Sequence, residues 1–339
     1  MDKFGYVPSV LESDLAAIRG HPRFLDAVRV ACRSLVAEYN GDGLPNRLMN
    51  DRGRVIGGLI ALYLHFTPAE DGRVPAPGLT ASRFEALCVE LGLCSPGRAR
   101  AFLALMRYAG YLAPMPGRSP DRRQRQLIPT DRLIAQHRRR WVMHFEAIAL
   151  MMPDAMSRAM RVQDRPEFAA AFMRHLGAMY LAGFRPLQQA PVLAGLIERN
   201  AGLFVMLSLF LAATDGGSMA TGGTAIPVSI SALSSRFGIA RVHTRRLLKD
   251  AVAVGLLGQS SSSQTVTVLP SLQGVVGDLF AAMFALQAHC AAAAVADVSA
   301  ASANSEHATG RRQESDARAG QEPGGAASLE SLSVGGTGR

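Results

Sequence analysis

A chain of 339 residues, of which 48% are apolar, is long enough to form two domains with buried cores. Its formal net charge of +9 and its isoelectric point near 10.0 favour a polyanionic partner. Between residues 95 and 140, eleven Arg stand against two acids, Asp121 and Asp131, so this segment alone carries +9. The rest of the chain is neutral on balance, and the basicity is therefore local.

Cysteine usage and the distribution of apolar residues argue against a secreted or membrane protein. Charged residues interrupt the first 14 positions, unlike in a signal peptide, and the apolar run at 201–214 is too short to span a bilayer. We therefore expect a cytoplasmic protein with no membrane partner. The cysteines are scattered without metal-ligand spacing and are expected to be reduced, buried thiols: Cys32, Cys88, Cys94 and Cys290.

Composition divides the chain into four parts. Residues 1–20 are expected to be a weakly structured leader. Residues 297–339 are rich in Gly, Ser, Ala, Glu and Arg and predict a disordered tail, because they bury too little apolar surface to offset the entropy of ordering. Between them lie two units, 21–156 and 157–296. Their elements recur in the same order, beginning at an offset of 144 residues, which points to a duplication.

In chain order, each unit begins with two helices, a polar Gly-containing loop and a short extended segment. The helices are predicted at 21–39 and 54–66 in the first unit, and at 165–181 and 201–213 in the second. Thr80 and Ser229 then stand where a capping residue precedes the next helix.

A pair of short helices follows in each unit. In the first, an apolar stripe from Phe84 to Leu91 predicts one helix, Gly92 makes the turn, and Ser95-Pro96 starts the next helix as an N-cap followed by proline. The second unit repeats this with helices at 230–237 and 241–254. Two strand-like pieces and a long helix complete each unit, at 111–114, 126–129 and 131–152 in the first and at 256–259, 265–269 and 275–292 in the second.

This order resembles the MarR-type winged-helix family of bacterial transcription regulators. The matching segments are 79–87 (LTASRFEAL) and 92–98 (GLCSPGR), with 230–233 (ISAL) and 238–241 (GIAR) as their counterparts. The resemblance covers residues 22–295. It implies a mainly α fold in which two winged helix-turn-helix domains lie in tandem, each with a small β-hairpin wing, joined by long dimerisation-type helices. It also implies a transcriptional regulator that binds double-stranded DNA.

The family acts as homodimers, so a tandem duplication implies a pseudo-dimer within one chain. Its shared core would be formed by the helices at 22–39, 131–152, 165–181 and 275–292. A homodimer of the fused chain is the alternative.

The first unit supplies the main DNA-binding candidates. Ser95, Arg98 and Arg100 lie at the start of its second helix, the end that enters the major groove in such proteins. Arginine pairs with guanine or phosphate, and a helix N-terminus suits a phosphate oxygen. The hairpin tip adds four arginines whose mutual repulsion a polyanion relieves: Arg118, Arg122, Arg123 and Arg125. A solvated charged surface is the alternative for both sets, and it is the preferred interpretation for the run at 138–140.

The second unit supplies a weaker set of DNA-binding candidates, Arg241, His243, Thr244 and Arg245. Its hairpin tip, 260–263, consists of four uncharged serines, and an alanine precedes its second helix where a capping Ser or Thr is expected. The first unit is therefore expected to lead on DNA.

The chain does not read as an enzyme, and neither a cofactor nor a metal is expected. It has no Gly-rich phosphate loop, and His137 and His144 lack a third metal ligand. Methionines between 143 and 179 are typical of a core and also suit a small-molecule effector pocket between the units. Two other functions stay open: a plasmid-type replication initiator, whose family also has two tandem winged-helix domains, and an interaction scaffold that lost sequence reading.

Overall fold

The structure is a computed structural model, and it describes residues 9–38, 52–67, 78–116, 126–217, 219–259 and 265–319. These residues are mainly helical, with small antiparallel sheets, which confirms the mainly α class predicted from the sequence. Backbone contacts divide the chain into two compact parts, Met1–Asp297 and Val298–Arg339.

The elements of the N-terminal half are, in chain order, α1 (Ser9–Gly20), α2 (Phe24–Glu38), α3 (Arg52–Phe66), β1 (Leu79–Thr80), α4 (Ala81–Glu90), α5 (Pro96–Tyr108), β2 (Leu112–Pro114), β3 (Gln126–Pro129) and α6 (Asp131–Ile148).

The chain continues through α7 (Pro153–Val162), α8 (Pro166–Leu181), two 3-10 turns (Pro186–Gln189 and Pro191–Leu193), α9 (Ala194–Ile197), α10 (Gly202–Ala213), β4 (Thr224–Pro227), α11 (Ile230–Phe237), α12 (Arg241–Ala253), β5 (Leu257–Gly258), β6 (Thr265–Val268) and α13 (Pro270–Ala319).

Each half builds a three-stranded antiparallel sheet with the same strand order. The order is β1-β3-β2 in the first sheet and β4-β6-β5 in the second. The register is closely similar: Leu112 pairs with Pro129 in the first hairpin, and Leu257 pairs with Val268 in the second. The strand that precedes each helix pair is therefore joined to the hairpin that follows it.

The two helix pairs, α4 with α5 and α11 with α12, also turn the chain in the same way. After α4 the Leu93 N–H, and after α11 the Ile239 N–H, donates to the carbonyl five residues back, at 2.9 Å and 3.0 Å. The residue before each donor is Gly92 (φ 63°) or Gly238 (φ 60°), in the left-handed region that side chains disfavour. The matching glycines in the sequence thus perform the same conformational task.

A glycine in α3 lets this helix approach the first pair closely. A Cβ on Gly57 of α3 would lie 2.5 Å from the Phe102 ring of α5. In the second half, a Cβ on Gly202 of α10 would lie at an ordinary contact distance, 3.5 Å, from a Leu247 methyl group of α12, but it would overlap the Leu196 carbonyl oxygen of α9. The tight contact at Gly202 is therefore with the backbone of α9 and not with the helix pair.

An aromatic core connects helices of the two halves. The ring centroid of Phe172 in α8 lies 5.0 Å from that of Trp141 and 5.5 Å from that of Phe145, both in α6. Phe24 of α2 meets Phe284 of α13 edge-on, with centroids 6.5 Å apart. Each such pair contributes roughly 0.5–1.5 kcal/mol beyond the burial of its area. The long helices of both halves therefore share one core.

Several segments are more helical than the sequence analysis predicts. The leader contains α1, whose Leu11, Leu15 and Ile18 are buried at i, i+4 and i+7. The segment predicted as a disordered tail from residue 297 is helical as far as Ala319, where α13 ends. Its alanine-rich sequence explains the continuation, since alanine has the highest helix propensity. The residues from 320 onward lie outside the described part.

By length and composition, Pro270–Ala303 within α13 is apolar enough to cross a membrane. The sequence-based expectation of no membrane span rested on the shorter apolar run at 201–214. However, 56% of the most apolar window of this helix is buried inside the protein. A core helix has the same composition, so the finding is weak support for a membrane span.

Candidate nucleic-acid interface

Two side-chain caps and one ring stack position α5 in the first helix pair. The Arg83 N–H donates to Thr80 Oγ1 at 3.3 Å at the start of α4, and the Arg98 N–H donates to Ser95 Oγ at 3.5 Å at the start of α5. The Phe84 and Phe102 rings stack with centroids 5.9 Å apart, which holds the two helices together. The predicted capping role of Ser95 is thus what the geometry shows.

The outward face of α5 is basic. Its buried face consists of Ala99, Leu103 and Met106, while Arg98 and Arg107 are exposed. The helix contains no Asp or Glu. No carboxylate on the same helix offsets the charge of these arginines. Such a basic face attracts an anionic surface.

Arg100 is engaged within the protein. Its Nε and Nη2 donate to the two carboxylate oxygens of Glu85 at 2.6 Å and 2.9 Å. The hydrogen bond from Arg100 lowers the pKa of the Glu85 carboxyl from its ordinary value. The bidentate pair connects α4 to α5, so Arg100 clamps the helix pair in addition to its predicted role towards DNA.

The second helix pair exposes more cations than the first. One side of α12 carries four exposed basic side chains: Arg241, Arg245, Arg246 and Lys249. Its one acid, Asp250, pairs with Arg199 away from this face. Arg241 is partly engaged, because its Nη2 donates to Ser231 Oγ at 3.0 Å.

The prediction that Thr244 contacts DNA is wrong. Thr244 is fully buried, and its Oγ1 lies 2.8 Å from Ser234 Oγ of α11. Leu247 and Ala251, at i+3 and i+7, are equally buried, so Thr244 belongs to the inward face. That spacing was visible in the sequence. Ala99, at the equivalent fourth position of the 13-residue helix α5, is also fully buried.

His243 is half-buried and already bonded. Its Nε2 lies 2.9 Å from the carbonyl oxygen of Asn200, so the ring is tied to the loop before α10. Arg246 and Lys249 are the better candidates on this helix. In the sequence, Lys249 belongs to a basic stripe with Arg241 and Arg245, and Arg246 lies beside it, but neither residue was among the four predicted contacts.

The other arginines fall into different settings. The hairpin-tip residues Arg118, Arg122, Arg123 and Arg125 lie outside the described residues, as does the tip at 260–263. Arg138 pairs with Asp164 at 3.2 Å, and Arg139 is exposed. Arg140 departs from the expected solvated charge: its Nε lies 3.7 Å from Glu38, and burial lowers its pKa.

Within the described part of the chain, no group of three or more His, Cys, Asp or Glu side chains is placed to hold a metal ion. His137 and His144 are packed inside the protein, and burial lowers their pKa values to about 3 and about 4. Both rings are therefore neutral near pH 7.

No family model, curated protein sequence or solved structure gives a significant match to this chain.

Proposed function

We propose that this chain is a transcriptional regulator that binds double-stranded DNA through two winged helix-turn-helix domains in tandem, as the resemblance to MarR-type regulators implies. The first domain comprises residues 21–156 and the second 157–296. The observation that carries the proposal is the exposed face of α12, which presents four cations and no exposed acid. The basic face of α5 supports it from the other half.

The chemistry of duplex DNA suits these two faces. An α-helix fits the major groove, where arginine side chains reach base edges or phosphates. Each phosphate neutralised releases counterions, so cations on one exposed helix face contribute affinity that falls with salt. The backbone N–H of Gly97 at the start of α5 suits a phosphate oxygen as well.

The shared core supports a pseudo-dimer formed within one chain, and the cysteines favour the cytoplasm. The aromatic contacts of α6 with α8 and of α2 with α13 connect the two halves without a second chain. The four cysteines are free thiols, which suits a reducing compartment. Two unequal helix pairs in such a particle would read an asymmetric site.

A salt titration of DNA binding tests the proposal. The double variant Arg245→Ala with Lys249→Ala removes two exposed cations from α12, and Arg158→Ala with Arg161→Ala removes two exposed cations from α7. We expect the first variant to lose about tenfold in affinity per lost contact at 0.1 M salt and to reduce the salt slope by about 2. The α7 variant should bind as the natural chain does. Equal losses in the two variants would show that only net charge matters.

A genomic footprint of the natural chain decides between the related functions. Protection of inverted or asymmetric promoter sites supports regulation, whereas protection of iterated direct repeats supports a replication initiator. If the protein binds no genomic fragment even at low salt, the DNA-binding proposal fails and the scaffold remains.

A further inference from the structure

Helices of both halves line a partly open cavity of about 260 Å³ in the shared core. Most of its wall is apolar and is supplied by α2, α3, α8, α10 and α13. Representative wall residues are Leu35, Ile56, Phe172, Leu203 and Phe280. A cavity of about 150 Å³ accepts benzene when its wall is apolar, so this one has room for about two fused rings.

The polar part of the wall comes mainly from α6, and His144 defines its chemistry. The ring Nδ1 lies 2.7 Å from the Arg140 carbonyl oxygen, which can only accept, so Nδ1 carries the proton. Because burial lowers the His144 pKa to about 4, the ring is neutral near pH 7 and Nε2 is a bare acceptor. Nε2 is buried and has no hydrogen-bond partner among the described residues.

Three other side chains of the cavity lining repeat this situation. The indole Nε1–H of Trp141 is a donor, Gln287 Oε1 is an acceptor, and His137 Nε2 belongs to a neutral ring; all three are buried without a partner among the described residues. Trp141 is 3% exposed and His144 is 4% exposed. Buried polar groups in proteins are nearly always paired, so four in the lining of one cavity indicate a molecule that pairs with some of them.

The charge of the wall limits that molecule. Arg140 is its cation, and the Arg140 Nε lies 3.7 Å from Glu38 Oε2, on the same wall. The two charges offset each other. An added charge inside this apolar site would carry an uncompensated desolvation cost.

We propose that this cavity binds an uncharged, mainly hydrocarbon molecule of about two fused rings that carries a hydroxyl group. The hydroxyl donates to His144 Nε2 or Gln287 Oε1 and accepts from the Trp141 indole N–H. The rings pack on the aromatic and aliphatic wall. This site does not depend on the DNA-binding proposal, because its contacts are all within the helical core.

Trp141 provides a direct readout, since it is the single tryptophan of the chain. The probes are decahydro-2-naphthol, its ketone decahydronaphthalen-2-one, and decahydronaphthalene-2-carboxylate, titrated at pH 7 while tryptophan fluorescence is recorded. We expect a saturable change with the alcohol, binding about tenfold weaker for the ketone, which cannot donate, and no binding of the carboxylate below millimolar concentration.

Three variants test the assignment of the polar atoms. His144→Leu combined with Gln287→Leu removes the two acceptors assigned to the hydroxyl and should bring the affinity ratio of alcohol to ketone close to one. Leu203→Phe fills the cavity and should weaken both probes. His175→Leu changes a histidine that bonds Asp297 elsewhere and should leave the ratio unchanged.

Three results would overturn the proposal. The first is no fluorescence change up to the solubility of the alcohol. The second is an alcohol-to-ketone ratio near one in the natural chain, which would indicate a cavity filled without specificity. The third is tighter binding of the carboxylate, which would reassign the site to an anion at Arg140. If the double variant does not fold, Gln287→Leu alone should lower the ratio at least twofold.

Discussion

The two helix pairs share the same backbone turn, but different side-chain interactions connect their helices. In the first, an exposed bidentate pair between Glu85 and Arg100 joins α4 to α5. In the second, a buried bond between the Ser234 and Thr244 hydroxyls joins α11 to α12. Arg245, at the position equivalent to Arg100, is exposed on α12.

One expectation from the sequence stays a prediction, that the first half leads on DNA. The count of charges points to the first half as the leading DNA-binding half. Within the described residues, however, α12 exposes four cations, whereas α5 exposes three and commits Arg100 to Glu85. The other cations expected in the first half belong to its hairpin tip, which lies outside the described residues.

The largest expected effect contrasts Gly202 of α10 with Gly57 of α3. Gly202→Ala would place a methyl group against the Leu196 backbone, which cannot move away cheaply, and we expect a loss of about 3 kcal/mol or more in unfolding free energy. Gly57→Ala meets only the Phe102 ring and should cost about 1–3 kcal/mol. Urea denaturation of the two variants measures the difference. Equal losses would show that the second half is no more tightly packed here.

A buried hydroxyl bond should matter more than an exposed ion pair. Ser234→Ala leaves the Thr244 hydroxyl without its partner at 2.8 Å, and we expect a loss of about 1–3 kcal/mol. Glu85→Gln, in the first pair, should cost less, because water solvates Arg100 when the pair is broken. Thermal unfolding monitored by circular dichroism ranks the two variants, and the opposite ranking would contradict the comparison.

The two helix starts should respond to capping in opposite directions. Ser95→Ala removes the cap of α5 and should destabilise the protein by about 0.5–1 kcal/mol, the low end because the bond is long. Ala240→Ser adds a cap where α12 has none and should stabilise it by up to about 1 kcal/mol. Chemical denaturation checks both signs.

The smallest expected effect is a pH dependence confined to the first pair. The pKa of Glu85 is lowered in the folded protein, so the Arg100 pair contributes stability above the ordinary carboxyl pKa and loses it as the pH falls through the folded value. The stability difference between the natural chain and Glu85→Gln should therefore shrink below about pH 4.5. A difference that stays constant from pH 7 to pH 3 would show that the carboxylate charge is irrelevant.

Much of the fold was readable because it depends on local signals. The glycines at 92 and 238, the caps at Thr80, Ser95 and Ser229, and the apolar stripes all act within a few residues of themselves. The order of helices and strands followed from them. The buried stripe of Leu11, Leu15 and Ile18 is also a local signal, and it marks α1 as a helix although residues 1–20 were expected to be weakly structured.

The candidate DNA-binding surface was less predictable. A helix has an inward face, and Thr244 was assigned to the wrong one because its polarity was weighed above its spacing from Leu247 and Ala251. Arg100 and His243 bond to Glu85 and to the Asn200 carbonyl, which come from other elements and have no sequence signature.

By itself, the sequence determined the mainly helical class, the repeated order of elements and the concentration of positive charge, since propensity, capping and charge belong to short segments. Only the tertiary structure decided which arginines stay exposed and that Trp141, His144 and Gln287 line one cavity. These outcomes depend on residues far apart in the chain meeting in one packed core, where burial sets the cost of every unpaired polar atom.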